Sequence, residues 1–144
     1  MTDVVKIQEL ISSFAEAGSR RNWDNAVATF APDGTWELTG SEHRLKGHAE
    51  LRAGFPKFVE GTEYLLQMNA PAIISVDGAR ATARSLIREG GKMKDLDEWI
   101  DILGSYEDRL IRMPQGWRFA HRAFTMFGMA RTPTLRNATL PVGS

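Results

Sequence analysis

The sequence predicts an α+β fold in which helices come first and long antiparallel strands follow, the helices packed on one face of a curved sheet. Three observations predict it. Apolar residues recur at helical spacing near the N-terminus. Further along they alternate with polar ones, the period of a half-buried strand. An Asp77-Gly78 pair then joins two of the alternating segments as a tight turn.

Each element follows in order. Val4, Ile7, Leu10, Ile11, Phe14 and Ala17 mark one face of a helix over residues 3–20. Thr2 or Asp3 can cap it, and Gly18 marks its end. Trp23, Ala26, Val27 and Phe30 give a second helix over residues 22–30, closed by a turn at Pro32, Asp33 and Gly34. Residues 35–39 read as a strand with Trp36 and Leu38 on one side and Glu37 on the other. Residues 40–47 form a hairpin loop with its return. A third helix spans residues 48–59, and Pro56 should end or kink it early. Residues 64–76 make one long strand bent near Pro71, and strands over 80–89, 98–112 and 117–127 complete the antiparallel run. The domain therefore covers residues 1–131. Residues 132–144, with Pro133 and Pro141 and no period, form an extended tail.

Size and charge narrow the function. A chain of 144 residues suits one domain with one core. With 42% hydrophobic and 25% charged residues it is balanced like a soluble protein, not a disordered or membrane one. Basic and acidic residues number 18 each, so no net field draws the chain to nucleic acid or to an anionic membrane. Cysteine is absent, which excludes disulfides, thiolate metal sites and cysteine nucleophiles. The N-terminal stretch carries Asp3, Lys6 and Glu9 among its apolar residues and lacks the order of a signal peptide, so a cytoplasmic location is expected. His43, His48 and His121 fall on separate elements without ligand spacing, which argues against a metal.

Several segments, in order, resemble a known family: FAEAGSRRNWD at residues 14–24, FAPDGTW at 30–36, VDGARATAR at 76–84, GSYEDRLIR at 104–112 and GWRFAHR at 116–122. With Gly47 before a helix, they resemble the SnoaL-like, polyketide-cyclase-like branch of the nuclear transport factor 2-like superfamily, related to scytalone dehydratase and ketosteroid isomerase. The resemblance implies a cone-shaped sheet wrapped around the N-terminal helices, with an enclosed hydrophobic pocket. It also implies proton transfer or elimination beside a ring, with no cofactor. Fold alone does not choose the reaction.

Matched residue by residue, the family's catalytic groups are largely missing. The Asp/His dyad of the dehydratases falls on Ser19 and Leu65. The ketosteroid isomerase base, tyrosine and second acid fall on Leu38, Phe14 and Asp108, and the epoxide hydrolase Asp-Arg-Asp set falls on Leu86, Arg84 and Arg122. What remains is a candidate catalytic cluster of Tyr106, Asp108 and Arg122. Tyr106 and Asp108 share one strand face. Burial could set the Asp108 pKa for acid–base work, while Tyr106 and Arg122 could steady an oxyanion. The competing reading makes Asp108 and Arg122 a structural cross-strand pair.

The resemblance places Phe14, Trp36, Leu38, Leu65, Leu86 and Phe124 in the pocket wall, with Arg84 as a further binding residue. His121, beside Arg122, should face the other way. The expected function is binding of a small hydrophobic, ring-bearing molecule with cofactor-independent lyase, isomerase or cyclase chemistry, in a homodimer. The alternatives are a non-catalytic ligand-binding or dimeric interaction module and, behind it, the small subunit of a ring-hydroxylating oxygenase.

Overall fold

A computed structural model describes residues 1–134 of the chain. The first helix, α1 (Asp3–Ser19), starts at Thr2, whose hydroxyl accepts from the Val5 amide at 3.3 Å. That contact satisfies one of the free amides of a helix N-terminus. Ile7, Ile11 and Phe14 bury the apolar face, each contributing about 1.5–3 kcal/mol relative to exposure. Gly18 lies inside the helix, not past its end. The chain instead leaves the helix through Arg21, which takes a positive φ of 57°.

Asn22 then caps the short α2 (Trp23–Ala28) by accepting from the Asn25 amide at 3.1 Å. The first strand, β1 (Phe30–Leu38), begins earlier than its alternation suggests. The Pro32-Asp33-Gly34 turn is absorbed into it as an irregularity, since pairing with the last strand shifts between Phe30 and Thr35. A short return strand, β2 (Arg44–Lys46), leads into α3 (Gly47–Val59). Pro56 does not end α3. It sits in the last turn, where the amide it lacks removes one bond while the helix runs on to Val59.

The expected long strand bent at Pro71 is two strands, β3 (Thr62–Asn69) and β4 (Ile73–Asp77). Both pair with β5 (Arg80–Met93), so the chain stays on one neighbour across the break. The Ala70 amide still donates to the Leu86 carbonyl at 2.9 Å, which holds the kinked segment to the ladder. Strands β6 (Glu98–Met113) and β7 (Gly116–Pro133) are the longest. Strand β7 runs to Pro133, so residues 132 and 133 belong to the sheet and not to a tail. Residues 135–144 lie outside the described part.

The seven-stranded sheet runs β2-β1-β7-β6-β5-β3, with β4 also on β5. Its pairings are antiparallel except β1 with β7, which is parallel, so the sheet is mixed and open. The α+β class is as expected. The helices cover one face, and the core forms between α1, α3 and the inner residues of β1, β5, β6 and β7. Among the described residues, no helix is long and apolar enough to cross a membrane.

Candidate functional site

Strand parity decides which side chains reach the space under the helices. On β5, Ala81, Ala83, Ser85 and Ile87 are buried, while Arg80, Thr82, Arg84 and Arg88 are exposed. Arg84 and Leu86 therefore point to the outer face, and Leu86 is 61% exposed. Their expected place in the pocket wall is corrected by this alternation. Counting on from Ile87 in the same phase brings Glu89 inward. It sits between Gln67 on β3 and Ile102 on β6, its direct partners across the ladder.

These residues border a partly open cavity of about 130 Å³ between the helices and the sheet. Phe14, Trp36, Leu38, Leu65, Tyr106 and Phe124 line it. Trp23, Phe55, Phe58 and Val59 close it from the helices, and Gln67, Glu89, Ile102 and Met126 complete the wall from the strands. Phe55 touches the rings of Phe14, Phe30 and Trp36 at centroid distances of 5.7–6.0 Å, a spacing at which edge-on aromatic contacts are favourable.

Glu89 is half-buried, and nothing among the described residues offsets the loss of water around it. Burial alone pushes its carboxyl up to about 7, a value suited to giving and taking protons near neutrality. Tyr106 accepts a hydrogen bond from the Trp36 indole N–H at 3.2 Å, which leaves its own hydroxyl hydrogen free to donate. Burial raises the phenol above its ordinary range against the opposing charge of Arg122, and Glu89 adds to the rise. Tyr106 therefore stays protonated.

Asp108 and Arg122 do come together, but behind Tyr106 and not in the cavity wall. The Arg122 guanidinium donates twice to the Asp108 carboxylate, at 2.7 and 3.1 Å, and neither side chain has any exposure. Its Cζ lies 3.7 Å from the Tyr106 ring centroid, 4.1 Å from Phe119 and 4.6 Å from Phe14. Burial raises the Asp108 carboxyl, with Arg122 pulling the other way. The residue after the bulge at Ala120 carries His121 to the outer face, where Thr35 and Glu37 hold its ring nitrogens. Arg84, Arg109 and Glu107 share that face, around an open groove.

Three of the expected residues thus meet as a unit, but Arg122 and Asp108 support the site without lining it. Glu89 is not among the expected residues, because the family resemblance and not the strand phase places Arg84 and Leu86 in the wall. The run of small and apolar residues at 81, 83, 85 and 87 carries the correct phase. Among the described residues, no group of three or more acidic or histidine side chains is placed to hold a metal.

With that geometry in hand, comparison with known proteins gives the family. A model of the SnoaL-like domain matches residues 1–123. The chain belongs to the SnoaL-like family. No curated protein matches it. Among solved structures, one similar to it is a protein of Novosphingobium aromaticivorans assigned provisionally as an aromatic ring hydroxylase. The two share 22% identity over 95% of this chain and 96% of that one, with a TM-score of 0.80. A provisionally assigned scytalone dehydratase from the same organism is 16% identical, covering 100% and 99%, at a TM-score of 0.80. A type 2 hexachlorocyclohexane dehydrochlorinase is 16% identical, covering 97% and 94%, at 0.79. At these identities the likeness is one of fold.

Proposed function

We propose that this SnoaL-like protein binds a small, largely apolar, ring-bearing molecule in the inner cavity and moves a proton on it without a cofactor, as a lyase, isomerase or cyclase. The observation that carries the reading is Glu89, a carboxyl without a partner among the described residues in the wall of a largely apolar cavity. Ionised, Glu89 takes a proton from a carbon beside a carbonyl, and the electron pair moves on to the carbonyl oxygen. Tyr106 donates to that oxygen. The neutral Glu89 acid then returns the proton to a second carbon, or a leaving group departs from the neighbouring carbon. Asp108 and Arg122 act through Tyr106 as positioning residues, because their charges are spent on each other. Fold relatives assigned as dehydratase and dehydrochlorinase support an elimination or isomerisation class.

The test is carbon–deuterium exchange. Cyclic ketones and enones incubated with the protein in heavy water are followed by proton NMR. The expected result is exchange that falls by about a hundredfold or more in Glu89→Gln, in line with the contribution of a positioned general base. In the wild type, the exchange rate should climb with pH and level off above about 7, where Glu89 is ionised. Ligands that raise the melting temperature yet never exchange would replace the enzyme reading with the non-catalytic binding module.

For the partner, we propose a second copy of the chain. Leu66 and Met68 on β3, Leu86 on β5 and Leu103 on β6 are between 47% and 61% exposed on the outer face. In register, Met68, Arg88 and Leu103 stand side by side, and Tyr64 stacks near Trp99 at 6.3 Å. Scattered apolar residues on a surface need no explanation, but several large ones on one sheet face, interleaved with Arg88 and Lys92, favour an interface.

A further inference from the structure

The cavity also limits what can occupy it, through its size, its charge and one orphaned atom. At about 130 Å³ it is close to the engineered apolar cavity of about 150 Å³ that accepts benzene. Ordinary drug-sized ligands need about 300 Å³ or more. On that volume one ring fills the space, and a fused multi-ring skeleton would project beyond it.

Charge narrows the field further. Among the described residues, Glu89 is the one acidic group in the wall and no cation lines it, since Arg122 is turned away and paired. A carboxylate or phosphate would lose its water with no counter-charge and would face Glu89.

Gln67 gives the polar requirement. Its backbone amide donates to the Ser19 hydroxyl at 2.8 Å, which pins the residue against α1. Its side-chain nitrogen packs against Gly18, where a Cβ would come within 2.9 Å. That leaves Gln67 Oε1 buried with no donor among the described residues, which favours a ligand that brings one. Its neighbour across the ladder, Glu89, is an acceptor as well when ionised.

We propose that the ligand of this cavity is an uncharged single-ring hydroxy compound, a phenol or enol, whose ring lies among Phe14, Trp36, Phe55 and Phe124 and whose hydroxyl donates at the Gln67–Glu89 end. The inference rests on the pocket reading above, and it concerns binding, so it stands or falls without any turnover.

The test compares ligands of equal shape. Binding of phenol, toluene, benzoate, benzylamine and a three-ring phenol is measured by calorimetry near neutral pH, on the wild type and on Gln67→Leu. Phenol should bind the wild type about fivefold or more tightly than toluene, the usual worth of one hydrogen bond. Benzoate, benzylamine and the three-ring phenol should bind more weakly than phenol. In Gln67→Leu the phenol advantage should vanish while toluene still binds, which also shows that the variant folds. Equal binding of phenol and toluene to the wild type would overturn the hydroxyl. Tighter binding of benzylamine or benzoate would overturn the neutral ligand, and tighter binding of the three-ring phenol would overturn the single ring. Each of those leaves the pocket reading intact, whereas no binding by any ring compound overturns both.

Discussion

Two carboxylates share the inner face of this sheet and are held in opposite ways. Asp108 is fully enclosed but paired with Arg122 through two hydrogen bonds, while Glu89 is half-buried and has no partner among the described residues. A pair taken out of water is costly to break and cheap to replace as a whole. Arg122→Met should therefore destabilise the protein by about 3–5 kcal/mol, because Asp108 is left charged and alone. The double change Asp108→Leu with Arg122→Met should cost far less, and urea denaturation of both variants checks the difference. For Glu89 the folded value lies near 7 against an ordinary 4.5, so between those limits the folded chain holds a proton that the unfolded chain has lost. Stability should then fall as pH rises through that window and level off above it, by at most about 3 kcal/mol and by less where water reaches the group. Glu89→Gln should remove this slope from a series of thermal melts. Asp108, raised in the same direction, would keep its own part.

At the scale of elements, the balance between what the sequence shows and what it hides follows the strength of local signals. Residues 3–19 form a helix because six apolar side chains recur on one face and Thr2 caps it, and both signals are local. The Pro32-Asp33-Gly34 turn misleads because its pairing partner is β7, far along the chain. Pro71 marks a true break, but only β5 determines that the two halves stay on one neighbour. In the site, Phe14, Trp36 and Tyr106 were legible, while Glu89 depended on the phase of a single strand. Gly90 and Gly91 illustrate what no local signal conveys. A Cβ on Gly91 would run into the Tyr64 carbonyl of the neighbouring strand, where the β3–β5 register shifts, whereas one on Gly90 would meet only the Met68 methyl at 4.0 Å. Gly91→Ala should cost about 1–3 kcal/mol as overpacking against backbone. Gly90→Ala should change stability by no more than about 0.5 kcal/mol, and denaturation curves of the two variants compare them directly.

Over the whole molecule, one sheet serves two separate surfaces, and its pleat keeps them independent. The inner residues of β3, β5 and β6 build the cavity, and the residues between them build the outer face where a second copy is proposed. Charged groups on that face come in both signs: Arg88 holds Asp101 at 2.8 Å, and Arg84 stands opposite Glu107. A two-fold partner presents the same patch, so it can offer apolar contact without stacking charges of one sign. Placing lysines at Met68 and Leu103, which share a row across β3, β5 and β6, would put two positive charges on each copy at the centre of the contact. Light scattering should then report a monomer for the double variant and a dimer for the wild type. Because both side chains point away from the cavity, phenol should bind the monomer about as tightly as the dimer. A wild type that is already monomeric at high concentration would end the dimer reading and leave the cavity untouched. Loss of ligand affinity in a folded monomeric variant would show instead that pairing shapes the inner wall, which the alternation of these strands argues against.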